Sequence, residues 1–295
     1  MSKQTVTIRP LSGAIGAEIL GVDVSQPLDD EVFSQIQNAF DQYLVIFFRD
    51  QDLTPEAHNN FAGRFYELAP HPYVHSIEGY PGIIEIVKES DETINWGGTG
   101  LHADLTFLER PPRGAMLYAR EIPPTGGDTL FVNLYLVYES LSSGMRRMLD
   151  GSESFHQSLP VEEYSAPYKG MFPKSATAGS TVHPLVITHP RTGRRSLYLN
   201  PQLLRRFSGM TEAESRPILD YLIGQAKCPE FSCRFRWKKG SIAIWDNRVA
   251  LHCALNDDFQ ISRGETGYRR VMHRATFSGE RPVPAQSTDE RQLSV

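Results

Sequence analysis

Cysteine is scarce in this chain. Three residues, Cys228, Cys233 and Cys253, among 295 are too few and too odd in number for a disulfide framework. Long apolar runs are missing as well. The run Leu44-Val45-Ile46-Phe47-Phe48 falls far short of the ~20 residues that a membrane-spanning helix needs, and Met1-Ser2-Lys3-Gln4-Thr5 opens no secretory apolar region. Positive charge is not in excess: 30 basic against 35 acidic residues give a net charge of −5. A nucleic-acid binder would carry a basic stripe, whereas the pairs Arg146-Arg147, Arg194-Arg195, Arg205-Arg206, Lys238-Lys239 and Arg269-Arg270 are scattered. Several reaction classes drop out with their motifs. There is no His-Glu-x-x-His, no Gly-x-x-x-x-Gly-Lys phosphate cradle and no Gly-x-Ser-x-Gly nucleophile turn. Gly97-Gly98-Thr99-Gly100 is not followed by the helix that a dinucleotide fingerprint requires. Cys253, beside His252, reads as a small buried thiol rather than a nucleophile. These absences leave a cytoplasmic protein that acts on a small molecule, with neither nucleic acid nor membrane as partner.

What is present fits one globular domain spanning 1–295, with 40% apolar and 22% charged residues. Asp29 precedes Val32, Phe33, Ile36 and Phe40 at helical spacing. Thr54-Pro55-Glu56 starts a second helix, and Thr211-Glu212-Ala213-Glu214 has the capping-box pattern ahead of Ile218, Leu219, Leu222 and Ile223. The remainder reads as strands: Val6 and Ile8, Leu44–Phe48, Ile83–Val87, Ala115–Ala119, Val182–Ile187, Leu197–Leu199, Phe231–Trp237, Ile242–Trp245 and Val271–Phe277. Many short strands with Gly- and Pro-rich turns, and a few helices outside them, predict a mainly β fold with peripheral helices, a sandwich or jelly roll. Residues 151–181, with Pro160, Pro167 and Pro173, read as an insertion or lid. Residues 280–295 read as a mobile polar tail.

His102-Ala103-Asp104 sets an imidazole and a carboxylate two residues apart, a spacing that on a strand aims both at one face. Such a pair arises easily by chance in a chain with nine histidines, and alone it is as well read as a surface turn. Two other features change its meaning. Trp245-Asp246-Asn247-Arg248 follows the apolar Ile242–Ile244, and His252 lies just beyond it. A second, distant histidine completes a set of two histidines and one carboxylate, the arrangement that leaves open positions on ferrous iron. Arg270, Met272 and Arg274 then alternate along a strand, so both guanidinium groups share a side and demand anionic partners. Their planar forks suit carboxylate or sulfonate oxygens. His183 and His189 each precede proline and read as structural, His273 points away from the two arginines, and Trp237 and Trp245 read as core.

With these residues the chain resembles the taurine dioxygenase/2,4-dichlorophenoxyacetate dioxygenase (TauD/TfdA) family of iron(II)- and 2-oxoglutarate-dependent dioxygenases. The resemblance runs from Ile8 to about Gly279. It is carried by Leu101-His102-Ala103-Asp104-Leu105-Thr106-Phe107, Pro124-Thr125-Gly126-Gly127-Asp128-Thr129, His183-Pro184-Leu185-Val186, Ile244-Trp245-Asp246-Asn247-Arg248 and Arg269-Arg270-Val271-Met272-His273-Arg274-Ala275-Thr276. It implies a double-stranded β-helix with His102, Asp104 and His252 binding iron(II). It implies that 2-oxoglutarate chelates the metal while Thr129 and Arg270 hold its far carboxylate. Arg274 matches the arginine that relatives aim at an anionic substrate group or share between both anions, and His71 and Tyr73 match positions near that substrate. Departures from the pattern are Leu101 in place of a tryptophan, Gly98 in place of an asparagine, and a longer interval from His252 to Arg270. That interval makes Arg263 a rival for the 2-oxoglutarate contact, although Ser262-Arg263-Gly264-Glu265 reads as a loop.

The activity implied is hydroxylation of a C–H bond of a small organic anion, a sulfonate or alkyl sulfate first. Dioxygen is consumed and 2-oxoglutarate is decarboxylated to succinate and carbon dioxide. The alternatives are the same chemistry on an aryloxyalkanoate or a larger biosynthetic substrate, and a jelly-roll metalloprotein without oxygen chemistry. Relatives of this kind are homo-oligomers, dimers or tetramers.

Overall fold

Strands buried on both faces dictate the layering of this molecule. The computed structural model describes residues 4–71, 74–92, 100–158, 179–255, 257 and 267–285. In chain order the elements are β1 (Thr7–Pro10), β2 (Ala17–Leu20), α1 (Asp30–Tyr43), β3 (Val45–Phe48), α2 (Pro55–Gly63), β4 (Ser76–Ile77), β5 (Tyr80–Lys88), β6 (Gly114–Glu121) and β7 (Thr129–Asn133). Next come α3 (Leu134–Glu139), α4 (Ser143–Leu149), β8 (Glu153–Gln157), β9 (Ser180–Pro184), β10 (Val186–Thr188), β11 (Arg195–Leu197), β12 (Leu204–Phe207) and α5 (Glu212–Ala226). The last four are β13 (Ser232–Phe235), β14 (Ile242–Asp246), β15 (Ala250–Ala254) and β16 (Arg270–Thr276).

Eight strands form the large sheet, in the order β1-β2-β3-β14-β6-β16-β5-β4. Its neighbours pair antiparallel except β2 with β3. A smaller sheet, β13-β7-β15, faces it. Because side chains alternate along a strand, β14 sends Ala243 and Trp245 toward the small sheet and Ile242 and Ile244 the other way. Between the sheets lie Phe47, Phe131, Phe235, Trp245 and Met272. Outside the large sheet, Phe33, Ile36 and Phe40 of α1 and Phe61 of α2 cover Ile46, Phe48, Ile242 and Ile244. Outside the small sheet, Val137 of α3 and Leu219 and Leu222 of α5 cover Val132 and Leu251. Two facing sheets of this pattern with helices on the outside are the jelly roll expected from the sequence.

Local signals explain the helix starts. Thr54 accepts the Ala57 N–H at 3.1 Å, and Pro55 occupies the first helical position. Thr211 and Glu214 form the reciprocal capping box. Asp29 stands at the N-cap of α1, yet its side chain makes no capping hydrogen bond. Two expectations are covered by the described residues only at their edges. The ends of the supposed 151–181 insertion are paired strands, with Phe155 of β8 opposite Val182 of β9; residues 159–178 lie outside the described residues. The start of the supposed free tail is docked: Pro284 bridges Ile187, the Ala285 N–H donates to the Val186 carbonyl at 3.0 Å, and Glu280 pairs with Arg113 at 2.9 Å. Both segments bury backbone polar groups in ladders, which their polar side chains do not betray. Residues 286–295 lie outside the described residues.

Candidate metal centre and active site

His102 and His252 are joined through their backbones by a single antiparallel bridge, with N–H to carbonyl distances of 3.0 and 2.9 Å. His252 belongs to β15; His102 belongs to no extended strand. The chain turns directly after it, and Leu105 takes a left-handed φ of 50°. Of the two readings of the pair His102 and Asp104, a strand face and a turn, the local backbone takes the turn. They converge through a bridge followed by a turn, and the outcome is the same meeting point. Asp104 Oδ1 lies 3.9 Å from His102 Nε2 and 3.7 Å from His252 Nε2. Among the described residues this is the only set of three histidine, cysteine or acidic side chains placed to hold a metal ion.

The donor set fits a metal. At 3.7 and 3.9 Å the three atoms are too far apart for direct hydrogen bonds, yet all face one point. The Nδ1–H of His102 donates to the Gly100 carbonyl at 3.1 Å, which leaves its Nε2 lone pair inward. Gln202 Nε2 donates to the same carbonyl at 3.0 Å. Burial pushes the His252 imidazole down to about 3, with His102 adding to the effect and Asp104 opposing it; neutral imidazole is the ligating form. Burial alone would raise the Asp104 carboxyl, but Arg274 and the two imidazoles hold it well below the usual carboxylate range.

Asp104 is clamped from two sides. Asn247, directly after β14, accepts the Asp104 N–H at 2.7 Å and donates to the Asp104 carbonyl at 3.1 Å and the Pro112 carbonyl at 3.0 Å. Arg274 Nη2 donates to Asp104 Oδ2 at 2.7 Å, leaving Oδ1 toward the histidines. A second polar layer holds the rest of the turn. Asn200 donates to the Ala103 carbonyl at 2.7 Å and to Thr106 Oγ1 at 2.8 Å, and His183 Nε2 lies 3.0 Å from the Thr106 carbonyl. The structural reading of His183 is thereby met. His189 is also structural, 3.0 Å from Asp246, whose carboxylate is further bound by Arg248 at 2.8 and 2.5 Å.

Arg270 and Arg274 are both buried on β16 with Met272 between them, while His273 faces Glu85 at 3.4 Å on the opposite side. Both arginines keep a buried Nε without a hydrogen-bond partner among the described residues. Burial lowers Arg270 to about 10. Thr129, at the start of β7, is buried near it, and the Trp237 indole bridges the two. Its Nε1 donates to Thr129 Oγ1 at 2.9 Å, and its ring centroid lies 6.0 Å from the Arg270 guanidinium carbon. Trp245 stands at the metal end, with its ring 4.7 Å from that of His252 and 5.6 Å from the Arg274 guanidinium carbon.

His71 is half-buried close enough to sense the centre. Burial and then Arg274 push its imidazole down to about 4, while Asp104 opposes them. Tyr73, Gly98 and Arg263 lie outside the described residues. Reading the sequence missed the roles of Asn247 and Trp237. For Asn247 the signal was its place straight after a buried strand in Trp245-Asp246-Asn247-Arg248.

The profile of the taurine catabolism dioxygenase TauD, TfdA family matches residues 7–276. An alkylsulfatase of Acinetobacter baylyi is 32% identical, the match covering 94% of this chain and 86% of that one. An alpha-ketoglutarate-dependent sulfate ester dioxygenase of Pseudomonas putida is 31% identical over 94% of this chain and 90% of its own. Among solved structures, a taurine dioxygenase from Burkholderia xenovorans superposes with a TM-score of 0.80 and 38% identity, covering 95% of this chain and 91% of that one.

Proposed function

The chain belongs to the taurine catabolism dioxygenase TauD, TfdA family, and from that premise we propose that it hydroxylates a C–H bond of a small organic anion, an alkyl sulfate or sulfonate, at an iron(II) centre held by His102, Asp104 and His252. The observation that carries this reading is the pair of buried arginines on one face of β16, each with an unpartnered Nε. Arg274 pairs with Asp104 through Nη2 alone, Arg270 makes no ion pair among the described residues, and a buried guanidinium short of acceptors is costly. Their Cα atoms lie roughly 13 Å apart along the strand, which leaves room for one anion at each end.

Arg274 serves the metal end. Its Nη2 holds Asp104, and its free Nε can receive the substrate's anionic group beside the centre. His71, kept neutral by burial, supplies a further hydrogen-bonding group there, and Tyr73 belongs to the same substrate region in this reading. Arg270 and the Thr129 hydroxyl serve the other end, where they take the far carboxylate of 2-oxoglutarate. Trp245, Phe131 and Met272 wall the interval with apolar surface and keep water out, which strengthens each charge contact. When bound, iron(II), 2-oxoglutarate and dioxygen supply the oxidising chemistry, with succinate and carbon dioxide as co-products. The protein's own share is placement: anchoring the anion sets one carbon beside the centre. Hydroxylation at a carbon that bears the ester oxygen of an alkyl sulfate yields a product that collapses to an aldehyde and sulfate.

Two relatives named for sulfate esters support sulfate ahead of carboxylate. The same reading makes the enzyme a cytoplasmic dimer or tetramer with neither nucleic acid nor membrane as partner; no helix among the described residues is long and apolar enough to cross a membrane. The test is succinate formation by iron(II)-loaded protein with a panel of alkyl sulfates, sulfonates and aryloxyalkanoates. Stimulation by a sulfate or sulfonate, with aldehyde released in step, is expected. Stimulation by aryloxyalkanoates alone would replace the anion class, and the absence of succinate under every condition would overturn the reading.

A further inference from the structure

Thr129 sits where three donor groups meet. Its Oγ1 accepts the Trp237 indole N–H at 2.9 Å. Trp237 is buried and its indole can only donate. Arg270, over the same indole ring at 6.0 Å, is likewise donor-only and makes no ion pair among the described residues. A threonine hydroxyl has one proton to give and two lone pairs. With one lone pair taken by the indole, the proton is turned away from Trp237, and no described residue accepts it.

The backbone around the group limits its alternatives. Thr129 is paired across the small sheet with both Phe235 and Ala254, so its Cα cannot move without breaking two ladders. Gly127, at φ +70°, brings bare backbone up to Arg270: a Cβ built there would lie 3.5 Å from the arginine Cδ and Nε. Asp257 fixes that glycine by accepting its N–H at 2.8 Å. Arg234 ties Asp257 and Asp128 together at 2.6 and 2.7 Å. The pocket wall is thus rigid on the side of Arg270, and the one rotor that chooses its direction is the Thr129 hydroxyl.

We propose that Trp237 is a positioning residue for the co-substrate: its indole N–H orients the Thr129 hydroxyl so that both Thr129 and Arg270 donate to the far carboxylate of a 2-oxo dicarboxylate. The proposal rests on the reading that this pocket takes 2-oxoglutarate. A tryptophan that is only core filling would need some acceptor for its N–H, and a backbone carbonyl would serve. Spending a side-chain hydroxyl opposite an unpaired arginine gives the N–H an effect on the ligand.

The experiment is anaerobic calorimetry with zinc(II)-loaded protein, comparing 2-oxoglutarate with 2-oxovalerate, which carries a methyl group where the far carboxylate would be. Trp237→Phe keeps an aromatic ring and removes the N–H. It should weaken 2-oxoglutarate about 3- to 10-fold, the range of one net hydrogen bond, and leave 2-oxovalerate within about twofold. In a Thr129→Val background the same change should cost no further affinity. Equal weakening of both ligands, or no weakening of either, would overturn the role of Trp237. Should Trp237→Phe fail to fold, the indole N–H resonance of Trp237 in the wild-type zinc(II) protein provides the measurement. It should move on adding 2-oxoglutarate and not with 2-oxovalerate, and equal movement with both would overturn the proposal. Failure of wild-type protein to bind 2-oxoglutarate at all would instead strike the underlying assignment of the pocket.

Discussion

Two aspartates illustrate how single residues divide between chemistry and support. Asp104 and Asp246 are both buried, which alone would raise their carboxyls, and in each an arginine acting together with neighbouring histidine holds the group well below the ordinary carboxylate range. Asp246 is saturated: Arg248 binds both of its oxygens and His189 adds a third contact. Asp104 has one oxygen on Arg274 and one left toward two imidazoles. That difference makes Asp104 the candidate ligand of the two. The candidate donor set was legible in the sequence, because histidine and aspartate two apart with a distant histidine are a recognisable pattern, and the structure brings the three side chains together. Their supports were not, since Asn247 and Arg274 lie 143 and 170 residues from Asp104 in the chain. His58 gives a prediction at this scale. It is buried in α2 with neither ring nitrogen partnered among the described residues, and burial, reinforced by His273, takes it from 6.5 to about 3. Between those values the unfolded chain binds a proton that the native state refuses. Stability is therefore full above pH 6.5 and falls as pH drops toward 3, by up to about 1.4 kcal/mol per unit from this group. His58→Leu should flatten the pH dependence of the denaturation midpoint between pH 6.5 and 4. An unchanged slope would contradict the account.

Among the elements, the short turn after His102 decides the site more than any strand. One side-chain amide, Asn247, holds both the N–H and the carbonyl of Asp104 and ties them to the Pro112 carbonyl. Asn247→Ala would leave a buried N–H and two carbonyls unpaired, at a cost of about 2–4 kcal/mol. The thermal midpoint and the affinity for a divalent metal should fall together; a variant with lowered stability and unchanged metal affinity would remove Asn247 from the site. Helices with polar starts were legible, as Thr54 and Thr211 show. Helices α3 and α4 were not, because Leu134–Tyr138 runs apolar without a helical period and Asn133 caps α3 by accepting the Tyr135 and Leu136 N–H groups. Whether His102-Ala103-Asp104 lies on a strand or at a turn is left open by the sequence for a related reason. A spacing of two says nothing about the left-handed residue Leu105 that closes the turn.

At the scale of the whole molecule, the large sheet is covered on both faces, by helices on one and by the small sheet on the other. Its central strands therefore read as continuous apolar runs, and Leu44–Phe48 was recognisable on that account. The polar strand β8 was hidden, since its ladder is made of backbone bonds that composition does not report. The layering also carries the site: β15 of the small sheet supplies His252, and β16 of the large sheet supplies Arg270 and Arg274, so the candidate centre exists only where the two sheets face each other. The most direct measurement is an anaerobic titration of iron(II) into wild-type protein and Asp104→Ala, with succinate formation from 2-oxoglutarate followed in the same samples on admitting oxygen. One iron per chain with succinate formed, and loss of both in the variant, is the predicted result. Wild-type stoichiometry and succinate in Asp104→Ala would contradict the assignment of His102, Asp104 and His252 as the metal centre.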